Sequence, residues 1–445
     1  MTVTVRFAPS PTGRLHVGNA RAAVLNWLFA RQSGGRFVLR LDDTDRERST
    51  EDFARGIETD LAWLDLNHDL FVRQSDRFAL YTEAAERLKE AGRLYPAYET
   101  ADELDRRRLR QRARGQPPVY DRAALSLTNE DRARLEGEGR KPHWRFKLNQ
   151  TPVAWRDLVR GDVAIDTATL SDPVLIREDG QFLYTLPSVV DDIDLAITHV
   201  IRGEDHVVNT AAQIEILEAL GGARPVFAHY PMIVGADGEK LSKRLGSLSL
   251  ESLREDGIDP MAVNSLLAKI GTSDPVEPRR TLAELAADFA FEKIGHAPAR
   301  LDPDDLKRLS TRLLHLKPFA EVAPALAALG VGGGEPFWLA VHDNLATLDQ
   351  ALDWWRIVAE PLDPAISGDP VLLAAGQLLP EGELAETSWQ PWTKAIAAAT
   401  GLKGRDLFHP LRLALTGREQ GPEMKKLLPL IGRERVLARL RGQRA

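Results

Sequence analysis

An α/β N-terminal part built on a parallel sheet, followed by an all-helical C-terminal half, is the fold class that the sequence predicts. Residues 3–7 alternate apolar and polar side chains with the period of a strand, and residues 8–13 form a loop rich in proline and glycine. Residues 19–31 have the periodicity of a helix, and residues 37–39 form a second, apolar strand. Strand, loop, helix and strand make one βαβ unit, in which the two strands are parallel. Beyond about residue 245 almost all of the sequence is amphipathic helix.

The middle of the chain, roughly residues 96–182, loses this alternation, and we interpret it as an α+β insertion. It contains an arginine-rich helix and short strands at 143–146 and 174–176. The strand pattern returns at 197–201 and again at 230–234. We expect these last two strands to complete the first sheet.

Length and composition limit the class of protein. A chain of 445 residues and 49.3 kDa exceeds what one hydrophobic core supports, so two to four domains are expected. No stretch reaches the ~20 apolar residues needed to cross a bilayer, and the N-terminus does not have the pattern of a signal peptide. The absence of cysteine excludes disulfides, cysteine nucleophiles and cysteine-based zinc sites. It fits a reducing compartment, and we predict a cytoplasmic protein without a membrane partner.

The charge is unevenly distributed. The net charge is −7, but residues 401–445 carry 11 Lys and Arg against 4 Asp and Glu, so that the first 400 residues sum to −14. A second basic run lies at 106–114. Each run alone is most simply a solvated helix face. Two such runs in an acidic chain make a polyanionic partner worth considering.

Two segments have residues suited to phosphate binding. The loop at 9–19 leads into a helix N-terminus, where free N–H groups and the positive end of the helix dipole favour phosphate. In this loop His16 could donate a hydrogen bond to a phosphate oxygen, and Gly18 permits a close approach to the backbone. Residues 238–246 place three cations and a hydroxyl between glycines, as a mobile arm over a triphosphate would require. An ordinary loop histidine and an exposed basic turn are the alternatives.

Two further segments follow predicted strands. Residues 202–206 and the acidic residues 42–45 both lie at the carboxyl end of a strand, where open α/β sheets bind their ligands. The acidic segment could hold an ammonium group or a magnesium ion, whose ligands are oxygens. Alternatively, it only caps the next helix.

Taken together, these segments resemble class I aminoacyl-tRNA synthetases. The class-wide His-x-Gly-His and Lys-Met-Ser-Lys-Ser elements are matched by residues 16–19 (HVGN) and 240–244 (KLSKR). More narrowly, the sequence resembles bacterial glutamyl-tRNA synthetases over essentially its whole length. The segments that carry this narrower resemblance are 6–13 (RFAPSPTG), 15–18 (LHVG), 43–45 (DTD), 189–192 (VVDD), 200–206 (VIRGEDH) and 410–417 (PLRLALTG).

The resemblance implies a Rossmann-type nucleotide-binding catalytic domain with an α+β insertion, followed by an all-α C-terminal anticodon-binding half. The expected segments are the two catalytic halves at 1–95 and 183–244, an inserted acceptor-stem-binding domain at 96–182, a stem-contact helical domain at 245–305 and an α-helical anticodon-binding region at 306–445, with subdomains near 306–378 and 379–445.

The resemblance also implies the reaction, in which glutamate, ATP and tRNA give glutamyl-tRNA, AMP and pyrophosphate. Magnesium would act with ATP, and the protein would be a monomer. The implied catalytic residues are His16, Gly18, Lys240 and Lys243. Glutamate would be bound by Arg6, Ser10, Asp42, Tyr184 and Arg202. ATP would be bound by Thr12, His16, Gly18, Glu204, His206 and Lys243. The implied tRNA-binding residues are Arg106, Arg107, Arg110 and Arg412.

The sequence departs from the family pattern at informative positions. Asp42 stands where the family usually has Glu, which receives the amino group of the substrate; aspartate keeps the charge but is one methylene shorter. Asn19 replaces the last histidine of the class-wide element. Some relatives bind zinc through cysteines in the inserted domain, but the matching residues 95–99 read YPAYE, so a zinc site of that kind is excluded.

Three other functions are disfavoured by the sequence. A short paralogue that modifies a tRNA base with glutamate lacks an anticodon domain, and the helical residues after about 305 argue against it. A glutaminyl enzyme is disfavoured by residues 7–13, and a catalytically silent tRNA-binding protein by the presence of His16 and Lys243. Whether tRNA(Glu) alone or also tRNA(Gln) is charged stays open, as does the question of which arginine holds which glutamate carboxylate.

Overall fold

The structure is a computed structural model that describes residues 2–239 and 248–445. The chain divides into two compact units. The first comprises Met1–Asp256 and Pro260–Asp305, and the second comprises Gly257–Asp259 and Leu306–Ala445. No helix of the described residues is long and apolar enough to cross a membrane.

The strands and helices alternate in the first unit, whereas the second unit is helical in its described residues. The strands are β1 (Thr4–Phe7), β2 (Arg36–Leu41), β3 (Leu70–Arg73), β4 (Leu94–Ala97), β5 (His143–Phe146), β6 (Pro152–Asp157), β7 (Gly161–Asp166), β8 (Val174–Ile176), β9 (His199–Gly203), β10 (Val226–Tyr230), β11 (Ile233–Gly235) and β12 (Ala299–Leu301). The helices are α1 (Val17–Gln32), α2 (Glu51–Trp63), α3 (Phe78–Glu90), α4 (Ala101–Ala113), α5 (Asn129–Gly137), α6 (Thr185–Asp194), α7 (Val207–Ala219), α8 (Leu250–Glu255), α9 (Pro260–Lys269), α10 (Leu282–Asp288), α11 (Pro303–Leu316), α12 (Phe319–Ala328), α13 (Gly334–Val341), α14 (Gln350–Ala359), α15 (Pro370–Gln377), α16 (Trp389–Thr400), α17 (Arg405–Thr416), α18 (Met424–Ile431) and α19 (Arg433–Leu440).

A parallel sheet forms the centre of the first unit. β1, β2 and β3 pair in parallel in the order β1-β2-β3, and β9, β10 and β6 pair in parallel next to one another. A backbone hydrogen bond from the N–H of Thr198 to the carbonyl of Thr4, 2.9 Å long, sets β9 beside β1. The combined order is β3-β2-β1-β9-β10-β6, with β7 antiparallel at the edge. The chain changes direction across the sheet between β1 and β9, and open α/β sheets bind ligands at this kind of crevice.

One predicted strand is misplaced. The sequence predicts a strand at 230–234, but the strand that completes the sheet is β10, at Val226–Tyr230. Pro231 ends it, because proline has no N–H to donate to a ladder. The apolar residues that follow form β11, which pairs in parallel with β12 in a separate two-stranded sheet.

The segment at 96–182 contributes to two sheets. β5 pairs antiparallel with β4 and β8 in a three-stranded sheet, whereas the hairpin of β6 and β7 extends the central parallel sheet through β10. α4, the arginine-rich helix, begins at a capping box in which Thr100 and Glu103 each accept a hydrogen bond from the other's backbone N–H.

The second unit is a bundle of short helices around a common hydrophobic core. Trp338 and Trp392 are completely buried in this core, and their indole N–H groups donate to the carbonyls of Lys317 and Ala375, both at 3.0 Å. Buried tryptophans need such partners, because an unpaired polar group would destabilise the interior. These two tryptophans therefore serve as packing residues. The α/β first unit and the helical second unit confirm the predicted fold class.

Candidate active site

Several of the candidate residues lie where β1 and β9 end. Arg6 is the next-to-last residue of β1 and Arg202 the next-to-last residue of β9, so both arginines reach the same edge of the sheet. β1 continues into the loop that ends at His16, and β9 continues into a turn of 3₁₀ helix at Glu204–His206. The crevice at this edge is the candidate active site.

His16 has a fixed orientation at the start of α1. It is the N-cap residue, and its Nδ1 accepts a hydrogen bond of 3.1 Å from the backbone N–H of Gly18. Because Nδ1 accepts, the neutral ring carries its proton on Nε2, which leaves one N–H donor for a ligand. Burial lowers the pKa of His16 and so favours this neutral form. A Cβ atom on Gly18 would lie 2.9 Å from the His16 Cε1 atom, so only glycine accommodates the ring here.

Residues 249 and 250 contact the chain at His16 and at the residue before it. Ser249 forms an antiparallel bridge with His16, and the N–H of Leu250 donates to the carbonyl of Leu15 at 2.9 Å. Lys240 and Lys243, the other predicted catalytic residues, lie outside the described residues.

A chain of buried ion pairs joins β1, β2 and α6. Asp192 accepts hydrogen bonds from Arg6 (Nε, 3.1 Å) and from Arg40 (Nη1, 2.8 Å). Arg40 in turn donates to both carboxylate oxygens of Asp42, at 2.7 and 3.2 Å. Burial raises the pKa of Asp42 to about 6, against the opposing influence of Arg40. The carboxylate expected to receive the substrate amino group is therefore anchored by Arg40, near the end of the preceding strand β2.

Arg202 is held differently, by neutral groups. Its guanidinium donates to the Tyr184 hydroxyl at 3.4 Å, to Thr210 and Gln213 at 2.7 Å each, and to the His229 ring at 3.2 Å. Burial lowers the pKa of Arg202, and the nearby Arg6 guanidinium lowers it further. The described residues supply no carboxylate within 4.0 Å of this guanidinium. A ligand carboxylate is thus the natural counter-charge.

The remaining predicted ligands of ATP and glutamate occupy the rim. The Tyr184 and His206 rings face each other with centroids 5.8 Å apart. Ser10 and Thr12 are exposed in the loop after β1, and the backbone N–H of Thr12 donates to the carbonyl of Ser10 at 2.9 Å. Glu204 is paired with Arg160 at 2.7 Å.

Sequence reasoning missed four residues of this site: Arg40, Asp157 and His229, which are buried, and Asp192, which is partly buried. Arg40 sits in an apolar strand and gave no functional signal. Asp192 lay within a segment matched to the family, but no role was assigned to it. Asp157 and His229 are 72 residues apart, and only the pairing of β6 with β10 brings them together.

The predicted tRNA-binding residues have different surroundings. Arg106 and Arg110 are exposed on α4, whereas Arg107 on the same helix is paired with Asp121 at 2.9 Å. In the second unit Arg412 is partly buried, and its guanidinium donates to the carbonyl of Pro422 at 3.0 Å. Burial lowers the pKa of Arg412. Arg106 and Arg110 are therefore the better placed of the four to meet a phosphate.

Comparison with known proteins identifies the family of the chain. Residues 2–305 match the family described as tRNA synthetases class I (E and Q), catalytic domain, and residues 370–444 match the anticodon binding domain family. Among curated relatives, glutamate–tRNA ligase 1 of Parvibaculum lavamentivorans is 60% identical, with 98% of each chain covered. Glutamate–tRNA ligase 2 of Methylobacterium sp. (strain 4-46) is also 60% identical, with 100% of each chain covered.

A solved structure is similar over the same length. The glutamate tRNA ligase of Elizabethkingia meningosepticum CCUG26117, determined in complex with its amino acid, superposes with a TM-score of 0.86 at 27% identity, covering 99% of this chain and 98% of that chain. The chain belongs to the glutamate–tRNA ligase family. The predicted family and enzyme class are thereby confirmed.

Proposed function

We propose that the chain activates L-glutamate with ATP to glutamyl-adenylate and transfers the glutamyl group to the 3′ end of tRNA(Glu). The observation that carries this proposal is the placement of two buried arginines, Arg6 and Arg202, at the ends of neighbouring strands. Glutamate has two carboxylates, and two separate cationic groups suit it. Glutamine would turn the two N–H donors of its amide towards a guanidinium that accepts no hydrogen bond.

The amino group of glutamate completes the recognition. In this proposal Asp42 receives the ammonium, Tyr184 borders the same pocket from the start of α6, and Ser10 supplies a hydroxyl from the loop after β1. The chain of ion pairs from Arg6 through Asp192 and Arg40 to Asp42 supports this assignment, since it fixes the distance between a group for a carboxylate and a group for an ammonium.

The first chemical step needs no nucleophile from the protein. A carboxylate oxygen of glutamate attacks the α-phosphorus of ATP in line, a new P–O bond forms and pyrophosphate leaves. Catalysis then depends on positioning and on stabilising the charge of the phosphoryl oxygens. The Nε2–H of His16 and the N-terminus of α1 suit the second role, and Gly18 keeps the ring in place. From the sequence we assign Lys240 and Lys243 to the same task, and Thr12, Glu204 and His206 to the ATP pocket.

In the second step, a hydroxyl of the terminal ribose of tRNA attacks the carbonyl carbon of the adenylate, and AMP leaves. Magnesium would enter with ATP, whose phosphates supply its preferred oxygen ligands. Among the described residues no cluster of three or more histidines and carboxylates would hold a metal ion independently of ATP. A monomeric state and a cytoplasmic location stay predictions, as do the inserted acceptor-stem-binding and C-terminal anticodon-binding roles of their segments.

The test is aminoacylation with labelled glutamate and ATP, run in parallel on tRNA(Glu) and tRNA(Gln). Charging of tRNA(Glu) alone supports a discriminating enzyme. Charging of tRNA(Gln), alone or in addition, keeps the chemistry and assigns the enzyme to misacylation. Charging of neither overturns the proposal and favours a modified-base or regulatory role.

A variant pair links this activity to the site. Arg202→Leu removes a buried charge that would bind a carboxylate, and kcat/KM for glutamate should fall by about 100-fold or more. Arg224→Leu, at an exposed arginine paired with Glu218, is the matched control and should change kcat/KM by less than about twofold. Equal effects of the two substitutions would contradict the assignment of Arg202.

A further inference from the structure

The side chain of His229 supports Arg202 from inside the protein. His229 lies on β10 and is completely buried. Its Nε2 atom is 3.2 Å from the Nε atom of Arg202. An arginine Nε–H can only donate, and the Thr210 hydroxyl, 3.0 Å from the same nitrogen, can also donate, so a lone pair on the His229 Nε2 satisfies both contacts. The proton of the neutral ring is then on Nδ1.

Asp157 fixes that proton. Its Oδ2 atom lies 2.6 Å from the His229 Nδ1, and it ends β6, the strand next to β10. Its other oxygen, Oδ1, accepts the backbone N–H groups of His229, Val159 and Arg160 at 3.0, 3.0 and 3.1 Å. Although burial alone raises the pKa of Asp157, the hydrogen bonds from His229 and the backbone lower the pKa to about 2. The carboxylate is therefore charged and cannot rotate without losing three donors.

We propose that Asp157 and His229 are positioning residues for the glutamate site. Asp157 holds the His229 proton on Nδ1, and the lone pair on Nε2 then holds the Arg202 guanidinium in the orientation that receives a substrate carboxylate. The inference rests on the proposed role of Arg202 in glutamate binding. Both residues are buried and act on the substrate through Arg202.

Asp157→Asn tests the proton directly. The three backbone donors require an oxygen at the Oδ1 position, so the amide NH₂ must face the His229 Nδ1. The His229 Nδ1 would then have to accept a hydrogen bond from this amide. The proton of the ring would move to Nε2, where it faces the Arg202 Nε–H. Two donors in contact displace the guanidinium, and the KM for glutamate should rise by about tenfold or more, a change of about 1.4 kcal/mol. The KM values for ATP and tRNA should change by less than about twofold.

Asp157→Ala separates positioning from a merely structural role. Alanine removes the carboxylate that selects the His229 tautomer. Unlike asparagine, it does not force the ring proton onto Nε2, so we expect the KM for glutamate to rise less than in Asp157→Asn. Stability should follow the opposite order, because alanine leaves a cavity and three unpaired N–H groups, while asparagine is isosteric. A structural role alone predicts that alanine is worse in both measurements. Asp162→Asn, at an exposed carboxylate on β7, is the matched control and should resemble wild type.

A second substitution tests the connection between the two residues. His229→Gln places an amide oxygen that can accept from Arg202 without a tautomer to select. In this background Asp157→Asn should add less than about a twofold increase in the glutamate KM, so the two changes are strongly non-additive. Full additivity would overturn the proposal.

The wild-type protein provides a test that requires no variant to fold. In a sample with labelled histidine, the hydrogen-bonded proton of His229 should appear far downfield in the ¹H spectrum. It should be bonded to Nδ1. A proton on Nε2 instead would overturn the inference. If the wild type charges no tRNA with glutamate, the proposed function fails. If it charges tRNA and Asp157→Asn leaves the glutamate KM unchanged, only the inference fails.

Discussion

Arg40 and Asp42 form a buried two-point ion pair in which the Nε and Nη2 atoms of the arginine lie 2.7 and 3.2 Å from the two carboxylate oxygens. Arg40 is the next-to-last residue of β2, and Asp42 is the first residue after that strand. The shorter side chain of aspartate, compared with the glutamate usual in the family, is thus held by an arginine from the end of the preceding strand. The substrate ammonium would meet a carboxylate whose position is already fixed.

Asp42→Asn should raise the KM for glutamate by about tenfold or more, while the KM for ATP changes by less than about twofold, because the substitution removes the charge proposed to meet the substrate ammonium and weakens the pair with Arg40 that holds the same group. Steady-state aminoacylation kinetics measure both constants. Asp52→Asn is the control, since Asp52 is an exposed carboxylate paired with Arg55 on α2. Equal changes in the two KM values of Asp42→Asn would contradict the assignment.

The pH dependence of glutamate binding should report the same carboxyl group. Burial raises the pKa of Asp42 to about 6, so the group becomes neutral as the pH falls through that value. A neutral carboxyl no longer attracts the ammonium, and the KM for glutamate should increase between pH 7 and pH 5.5. The Asp42→Asn variant should show a high KM that no longer depends on pH in this range. A rise of the same size in both proteins would assign the titration to another group.

Gly18→Ala should lower kcat by about tenfold or more while the protein still folds, because the new methyl group would lie 2.9 Å from the His16 ring and displace a donor aimed at phosphate. Gly56→Ala is a matched control in α2, where the nearest atom to an added Cβ is 4.0 Å away. Alanine has the higher helix propensity, so this control should be as active as wild type and slightly more stable. Unchanged kcat in Gly18→Ala would remove His16 from the mechanism.

The parts of the fold set by local sequence could be predicted, and the parts set by long-range pairing could not. The βαβ unit is visible because its strands and helix have clear periodicities. β10 was misplaced because the apolar residues on both sides of Pro231 look like one strand. The contacts between Asp157 and His229 depend on β6 joining β10, and no local pattern shows that pairing. His16 was found because its loop has a recognisable motif, whereas the buried Arg40 has none.

The double variant Arg106→Ala/Arg110→Ala should raise the KM for tRNA several-fold and leave the KM values for ATP and glutamate unchanged, because both arginines are exposed on α4 and neither forms an ion pair within the described part of the chain. Each lost phosphate contact should reduce the slope of log affinity against log salt by about one unit. Titrations with tRNA at several salt concentrations measure this slope. The control Arg55→Ala/Arg156→Ala removes two exposed arginines that are paired with Asp52 and Asp162. A slope equal to that of the control would exclude α4 from the tRNA contact.

The neutral surroundings of Arg202 have a consequence for the protein without substrate. Hydroxyl, amide and imidazole groups orient this buried guanidinium, but within the described part of the chain no carboxylate balances its charge at ion-pair distance. The Asp192 carboxylate acts on Arg202 only from a longer distance, so a ligand carboxylate would add the close counter-charge. In the proposed function glutamate would bring that counter-charge to Arg202, whereas glutamine would fill the same volume and leave the guanidinium without one.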